Sequence, residues 1–340
     1  MNRGAPAPLL LAALAALAAA GCTRLPSGPA RHVAPPVRAA ILADWSADGY
    51  ARPVVLEVLD TIAASGANGV TILVTAYQAD AHAAALRAFD PRTPAAAAVR
   101  AAADAALARG LAVSIKPHVD VDDGTWRAHI DPPDAAAWFA SYRAFLLPWA
   151  RLADSLGAVR FVAGTELAGT IGHEAEWRTT IAALRAAFRG RLVYAASWDE
   201  ARIVPFWDAL DLVGIDFYYP VAVREEAGRY ELLAGWAPWL ARLERLHERS
   251  GKRILLTEIG YRSIAGAGIE PHAFGSAGAI DLAGQADLYW AALQATGDLP
   301  WMEGLEWWNF RADGAGGPAD GDFTPYGKPA ALELRAAWAP

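Results

Sequence analysis

Lys252-Arg253-Ile254-Leu255-Leu256-Thr257-Glu258-Ile259-Gly260-Tyr261-Arg262-Ser263 is the stretch on which the reading of the fold turns. Two cations enter it, branched apolar residues follow, and a carboxylate then stands among polar and aromatic neighbours. The amphipathic segment Trp239–Ser250 comes just before it. A short apolar run after such a helix reads as a parallel strand covered on both faces. Glu258 falls at the C-terminal end of that strand. In an α/β barrel this is the end where chemistry is done, because the βα loops gather there around the mouth. A lone Glu fits an ion pair with a rim arginine equally well. What decides between the two is whether other strands bring partners to the same rim.

The same alternation of apolar run and helical spacing recurs along the rest of the chain. Strands are expected at Val37–Ala43, Asn68–Thr75, Leu111–Pro117, Arg160–Ala163, Arg191–Ala196, Asp211–Asp216, the run ending at Glu258, and Met302–Asn309. Helices are expected at Pro53–Ser65, Pro94–Arg109, Trp138–Leu156, Glu174–Phe188, Trp239–Ser250, Leu282–Thr296 and Pro329–Trp338, several of them closed by Gly66, Gly110 or Gly157. The pattern predicts an α/β fold, a single (β/α)8 TIM barrel over residues 37–340. A doubly wound open sheet usually carries a glycine-rich phosphate loop after its first strand. Here that strand runs into Asp44-Trp45-Ser46, with no G-x-G-x-x-G.

A chain of 340 residues that is 54% hydrophobic can bury a core of barrel size. Its net charge of −7 and pI near 5.5 offer no basic stripe, so nucleic acid is not an expected partner. The 14 tryptophans fit either core or sugar stacking. Cys22 is the only cysteine, which excludes an internal disulfide. It follows a positive start at Met1-Asn2-Arg3 and an apolar Ala/Leu stretch, the pattern of an export signal. Ala19-Ala20-Gly21-Cys22 resembles a bacterial lipobox, so residues 1–22 read as a lipoprotein-type signal with Cys22 acylated. Residues 23–36, rich in Pro, Gly and Ser, read as a tether. The expectation is a membrane-anchored, exported monomer that meets the membrane only through that lipid.

The expected strand ends deliver Trp45, Tyr77, His118, Asp120, Glu166, Trp198, Tyr218, Glu258 and Trp308 to one rim. Two of these are Glu, after strands four and seven, on opposite sides of a closed barrel. Facing carboxylates are what a retaining glycosidase uses, one attacking the anomeric carbon and one protonating the leaving oxygen. No cofactor is needed for that chemistry, and no metal is assigned. Asp120-Val121-Asp122-Asp123-Gly124 lacks the register of a calcium loop. Ser197 and Ser263 have no G-x-S-x-G context. His118 fits either a substrate contact or a hydrogen bond to Asp120, and Asp313, Asp320 and Asp322 read as a solvated loop.

The run of motifs resembles glycoside hydrolase family 113, within the clan A barrel glycosidases. The matching pieces are Ile115–Val121 (IKPHVDV), Asp123–Pro132 (DGTWRAHIDP), Trp138–Tyr142, Val162–Leu167 (VAGTEL), Val213–Pro220 (VGIDFYYP), Leu255–Ser263, Trp307–Phe310 (WWNF) and Phe323–Ala330. The resemblance implies Glu166 as acid/base and Glu258 as nucleophile. It implies Tyr218 or Tyr219 as a hydrogen-bond donor to the nucleophile and Trp308 as a platform under the sugar, with Trp45, Tyr77, His118 and Trp198 as further substrate contacts. Its characterised members include β-1,4-mannanases, which makes mannan or manno-oligosaccharides the expected substrate. Thr165 departs from the Asn that many clan A enzymes place before the acid/base, so the sugar is less firmly implied than the mechanism. Another β-glycan, or a non-catalytic glycan-binding barrel, are the alternatives.

Overall fold

The computed structural model describes residues 37–274 and 278–338. The segments read as signal and tether, Cys22 among them, lie outside the described residues. All eight expected strands form: β1 (Val37–Ala43), β2 (Gly69–Gln78), β3 (Ala112–Val121), β4 (Arg160–Thr165), β5 (Arg191–Ser197), β6 (Leu212–Phe217), β7 (Ile254–Ile259) and β8 (Met302–Arg311). They pair in sequence order, all parallel, and β8 closes onto β1. The helices are α1 (Val54–Ala64), α2 (Ala96–Leu107), α3 (Ala135–Ser155), α4 (Glu174–Ala187), α5 (Arg229–Gly235), α6 (Ala237–Ser250), α7 (Leu282–Thr296) and α8 (Ala330–Trp338). Among the described residues no helix is long and apolar enough to cross a membrane.

The strands are buried on both faces, which is why they read as continuous apolar runs. Along β1 the two faces separate by parity. Ala40 and Leu42 join the large core between sheet and helices, while Val37, Ala39 and Ile41 point into the barrel. Trp138, Trp177, Trp236 and Trp307 are fully buried in the outer core, so much of the tryptophan content is packing. The helix ends follow local chemistry. Asp134 caps α3 by accepting from the Ala137 amide, and Gly251, at φ 66°, closes α6 in the left-handed conformation that glycine adopts without strain.

Inside the barrel the side chains form layers. Near the strand N-termini Arg160 meets Glu306 at 2.9 Å, both buried. Ala39, Val162, Val193, Leu212 and Leu255 form an apolar layer. Further toward the mouth stand Lys116, Asp216 and Thr257, all without exposed surface.

Three details differ from the sequence reading. Strands β2, β3 and β8 run further toward the mouth, so His118 and Asp120 lie within β3 rather than beyond it. The polar residues there fill the inward face of the mouth instead of ending the strand. The helical alternation is also incomplete: β5 passes to β6 with only a short 3-10 turn at Trp207–Ala209, and α5 is an additional helix before α6.

Candidate active site

Glu166 and Glu258 both sit where a strand loses its register. Between β6 and β7, Ile215 pairs Leu256 and Asp216 pairs Glu258, leaving Thr257 as an extra residue. Such a bulge turns successive side chains to the same side. Thr257 Oγ1 therefore reaches Asp216 Oδ1 at 2.8 Å, while Glu258 also faces inward. A second irregularity between Val162 and Thr165 ends β4. There Glu166 adopts φ 51°, the only positive φ at a non-glycine residue among those described. That conformation costs about 1–2 kcal/mol for a residue with a Cβ. It is held by the Glu166 amide donating to Ala195 O at 2.8 Å and the Leu167 amide donating to the Tyr194 hydroxyl at 3.0 Å. Tyr194 in turn donates to Glu200, whose other oxygen accepts from the Ser197 amide at 3.0 Å.

Glu258 is buried among donors. Lys116 Nζ lies 2.6 Å from Glu258 Oε1 and 3.0 Å from Asp216 Oδ1, and Tyr218 donates to Glu258 Oε2 at 2.8 Å. His118 Nε2 is 3.4 Å from the same Oε1. Burial pushes the Glu258 carboxyl up, but the Lys116 charge and the contact with His118 outweigh it, so it is held below the usual carboxylate range. Burial and the Arg127 charge lower His118 to about 4, which keeps the imidazole neutral at ordinary pH. Burial, reinforced by the charge on Glu258, raises Asp216 well above its ordinary value.

Glu166 has the opposite environment. Its Oε2 accepts from Trp126 Nε1 at 3.0 Å and from Arg127 Nη1 at 3.2 Å. Arg127 is itself anchored by Asp120 at 2.6 Å and by Val119 O. Burial raises the Glu166 pKa; Arg127 opposes this, the charge on Glu258 adds to it, and the net shift is upward. The two carboxyls in one mouth thus have their pKa values pushed apart, the arrangement that separates an acid from a nucleophile.

Other expected residues divide between mouth and core. Tyr218, Trp308 and Phe323 cluster with Ile41, Ala43 and Leu73, and Trp198 packs against them. Trp308 stacks parallel to His118 at 5.9 Å and meets Trp45 edge-on at 6.2 Å. Tyr77 is buried with its ring under the Arg92 guanidinium at 3.7 Å. Tyr219 is a correction: its hydroxyl donates to Trp198 O and its ring stacks on Trp239, because the alternation carried past the end of β6 turns it outward, like Phe217. Tyr218 alone of the pair reaches Glu258. His118 likewise faces Glu258 rather than Asp120, which is engaged by Arg127. Thr165 Oγ1 donates to Pro117 O at 3.0 Å, so its proton is committed to the backbone of β3. Asp122 pairs with Arg87 and Arg92. Asp313 stays exposed, as the loop reading expected, while pairing with Arg311; Asp320 is half-buried and pairs with the buried Lys328.

Residues 45–328 match the family model for Glycoside Hydrolase Family 113. The chain belongs to that family. It is therefore a glycoside hydrolase. A β-mannanase of family 113 from Alicyclobacillus acidocaldarius, AaManA, solved in complex with ManMIm, is similar at a TM-score of 0.82 and 27% identity, covering 90% of this chain and 97% of its own. A complex of a family 113 β-1,4-mannanase gives 0.82 and 25%, covering 89% and 98%. Two fungal β-1,4-galactanases share the fold at a TM-score of 0.57 and 15% identity, covering 88% and 99%. No curated protein matches by sequence.

In this family 113 chain, the sequence reading did not single out Lys116, Asp216, Trp126, Arg127, Tyr194 or Glu200. Lys116 carried a signal: a lysine between Ile115 and Pro117 in an apolar strand, on the same parity as His118. A charge there must be paired.

Proposed function

We propose that this glycoside hydrolase is a retaining β-mannanase acting on β-1,4-linked mannan or manno-oligosaccharides. What supports the reading is a pair of carboxyls in one mouth with opposed shifts: Glu258 held below the usual range beside Lys116 and Tyr218, Glu166 pushed up by burial and by the charge of Glu258. In the first step a Glu258 oxygen forms a bond to the anomeric carbon as the glycosidic C–O bond breaks. Glu166 gives its proton to the departing oxygen. Glycosylation removes the Glu258 charge, so Glu166 becomes the stronger acid and stays ionised. In the second step it takes a proton from water, whose oxygen attacks the anomeric carbon and releases Glu258. Trp308, beside His118 in the cluster over the mouth, offers an apolar face to the sugar. The likeness to family 113 β-1,4-mannanases supports mannan.

The test is incubation of the purified barrel with β-1,4-mannan, β-glucan, xylan and galactan, with sized products and NMR of the first anomer released. Hydrolysis of mannan with the β anomer appearing first is expected; an α anomer first contradicts retention. A second reading, another β-glycan cleaved in the same way, is favoured by Thr165, whose hydroxyl proton is given to Pro117 O rather than to a sugar. The same screen decides it. We further propose that the protein is exported and lipid-anchored through Cys22, on the sequence pattern alone. Cys22→Ser is then expected to release it from the detergent phase, and a wild-type protein that is fully soluble contradicts the anchor.

A further inference from the structure

The crossover from β5 to β6, where no α-helix is formed, leaves a groove against α6 of about 150 Å³. Its walls carry Trp198, Arg202, Tyr219, Arg242, Arg245 and Arg249. Four exposed arginines line it in a chain whose net charge is −7. Arginines nearby are matched to acids, as Arg178 is to Asp208 and Arg185 to Asp211. Among the described residues, none of the four in the groove has a carboxylate within 4.0 Å. The acid next to Trp198, Asp199, is hydrogen-bonded by Ser197 Oγ instead. On α6, Arg242, Arg245 and Arg249 follow at i, i+3 and i+7 and so share one face; Glu244 falls on the opposite side, and Glu248 flanks Arg245 at i+3 without an ion pair to it within 4.0 Å. Like charges stacked on one helix face repel each other, and an anion between them removes the repulsion.

Trp198 connects this groove to the mouth. It packs against the Tyr218, Trp308 and Phe323 cluster and lies 5.3 Å from the Tyr219 ring, which together with Trp239 carries Arg242 above it. Aromatic walls suit a sugar ring, and forked guanidiniums suit a carboxylate or an oxygen-rich ester. We propose that the groove is a subsite for an anionic substituent, a uronic carboxylate or a sulfate ester, carried by the glycan whose backbone occupies the mouth. This rests on the glycosidase reading above and extends it to a class of decorated substrate.

The experiment compares one mannan in three forms: neutral, partly oxidised to carboxylate at C6, and partly sulfated. At low ionic strength the wild type is expected to cleave a charged form with kcat/KM about fivefold above the neutral one, mainly through KM, as a few exposed charge pairs allow. High salt should abolish the advantage. Arg245→Gln with Arg249→Gln should remove it while leaving the neutral rate unchanged. A gain with both charged forms means that charge alone is read; a gain with one identifies the group. Equal rates on all three forms, or an advantage that survives in the double variant, overturn the proposal. If neutral mannan is not cleaved at all, the function reading fails separately. Affinity electrophoresis in the charged and neutral polymers then judges the groove: retention lost in the double variant supports it, and retention equal for both polymers or for both proteins refutes it.

Discussion

Lys116 is the residue on which the ionisation of the site depends. It is fully buried, and its charge is shared between Glu258 and Asp216. Burial alone would lower its pKa, but the two carboxylates raise it, so it remains a cation. Lys116→Met would leave both acids without it, and breaking a buried pair costs about 3–5 kcal/mol. Without the cation the Glu258 pKa rises, so the acid limb of kcat/KM should move to higher pH, as measured alongside thermal unfolding. An unmoved acid limb would show that Lys116 does not tune the nucleophile. Arg127 acts on the other carboxyl with the opposite consequence. Its charge lowers the Glu166 pKa. Arg127→Gln should therefore keep Glu166 protonated to higher pH and move the alkaline limb upward; a downward move contradicts the assignment of Glu166 as the acid.

Between β4 and β5, Tyr194 and Glu200 hold the left-handed turn at Glu166 in place. Burial raises the Glu200 carboxyl to about 8. In the unfolded chain it ionises near 4.5. Between those values the folded state keeps a proton that the unfolded state has lost, so stability falls as pH rises, by about 1.4 kcal/mol per unit for this group. Denaturant unfolding between pH 5 and 8 should show a shallower decline for Glu200→Gln than for the wild type, and parallel curves would contradict the shift. Neither Tyr194 nor Glu200 was legible in advance. They lie on the outer side of β5 and in the loop after it, and the hydrogen bond from the Leu167 amide to Tyr194, backed by Glu200, depends on an irregularity at the end of β4 that periodicity does not encode. Tyr218 and Tyr219 show the same limit. Adjacent residues on a strand face opposite sides, but which one faces in depends on the strand's register, and the sequence reading left that open.

For the molecule as a whole, the barrel was legible because covered parallel strands must be apolar on both faces, and Glu258 at the end of Ile254–Ile259 marked its mouth. The missing helix after β5 was visible too, in the absence of helical spacing between Ala196 and Asp211, although the alternation was read as complete. What periodicity could not supply was the polar interior. Arg160 and Glu306 look like strand-end charges in sequence, yet they meet across the barrel floor with little or no exposure. Arg160→Met alone should destabilise by about 3–5 kcal/mol, and adding Glu306→Leu should recover much of that loss in thermal unfolding, because the unpaired buried charge is what costs. A double variant as unstable as the single one would contradict the pairing. With Glu258 proposed as nucleophile and Glu166 as acid/base, the decisive measurement is azide rescue of the two alanine variants on an activated aryl β-mannoside. Glu258→Ala should lose turnover and regain it with azide as an inverted glycosyl azide. Glu166→Ala should still form the intermediate and give a retained glycosyl azide. The reverse pairing of product and variant would exchange the two roles, and undiminished hydrolysis in both variants would contradict the mechanism altogether.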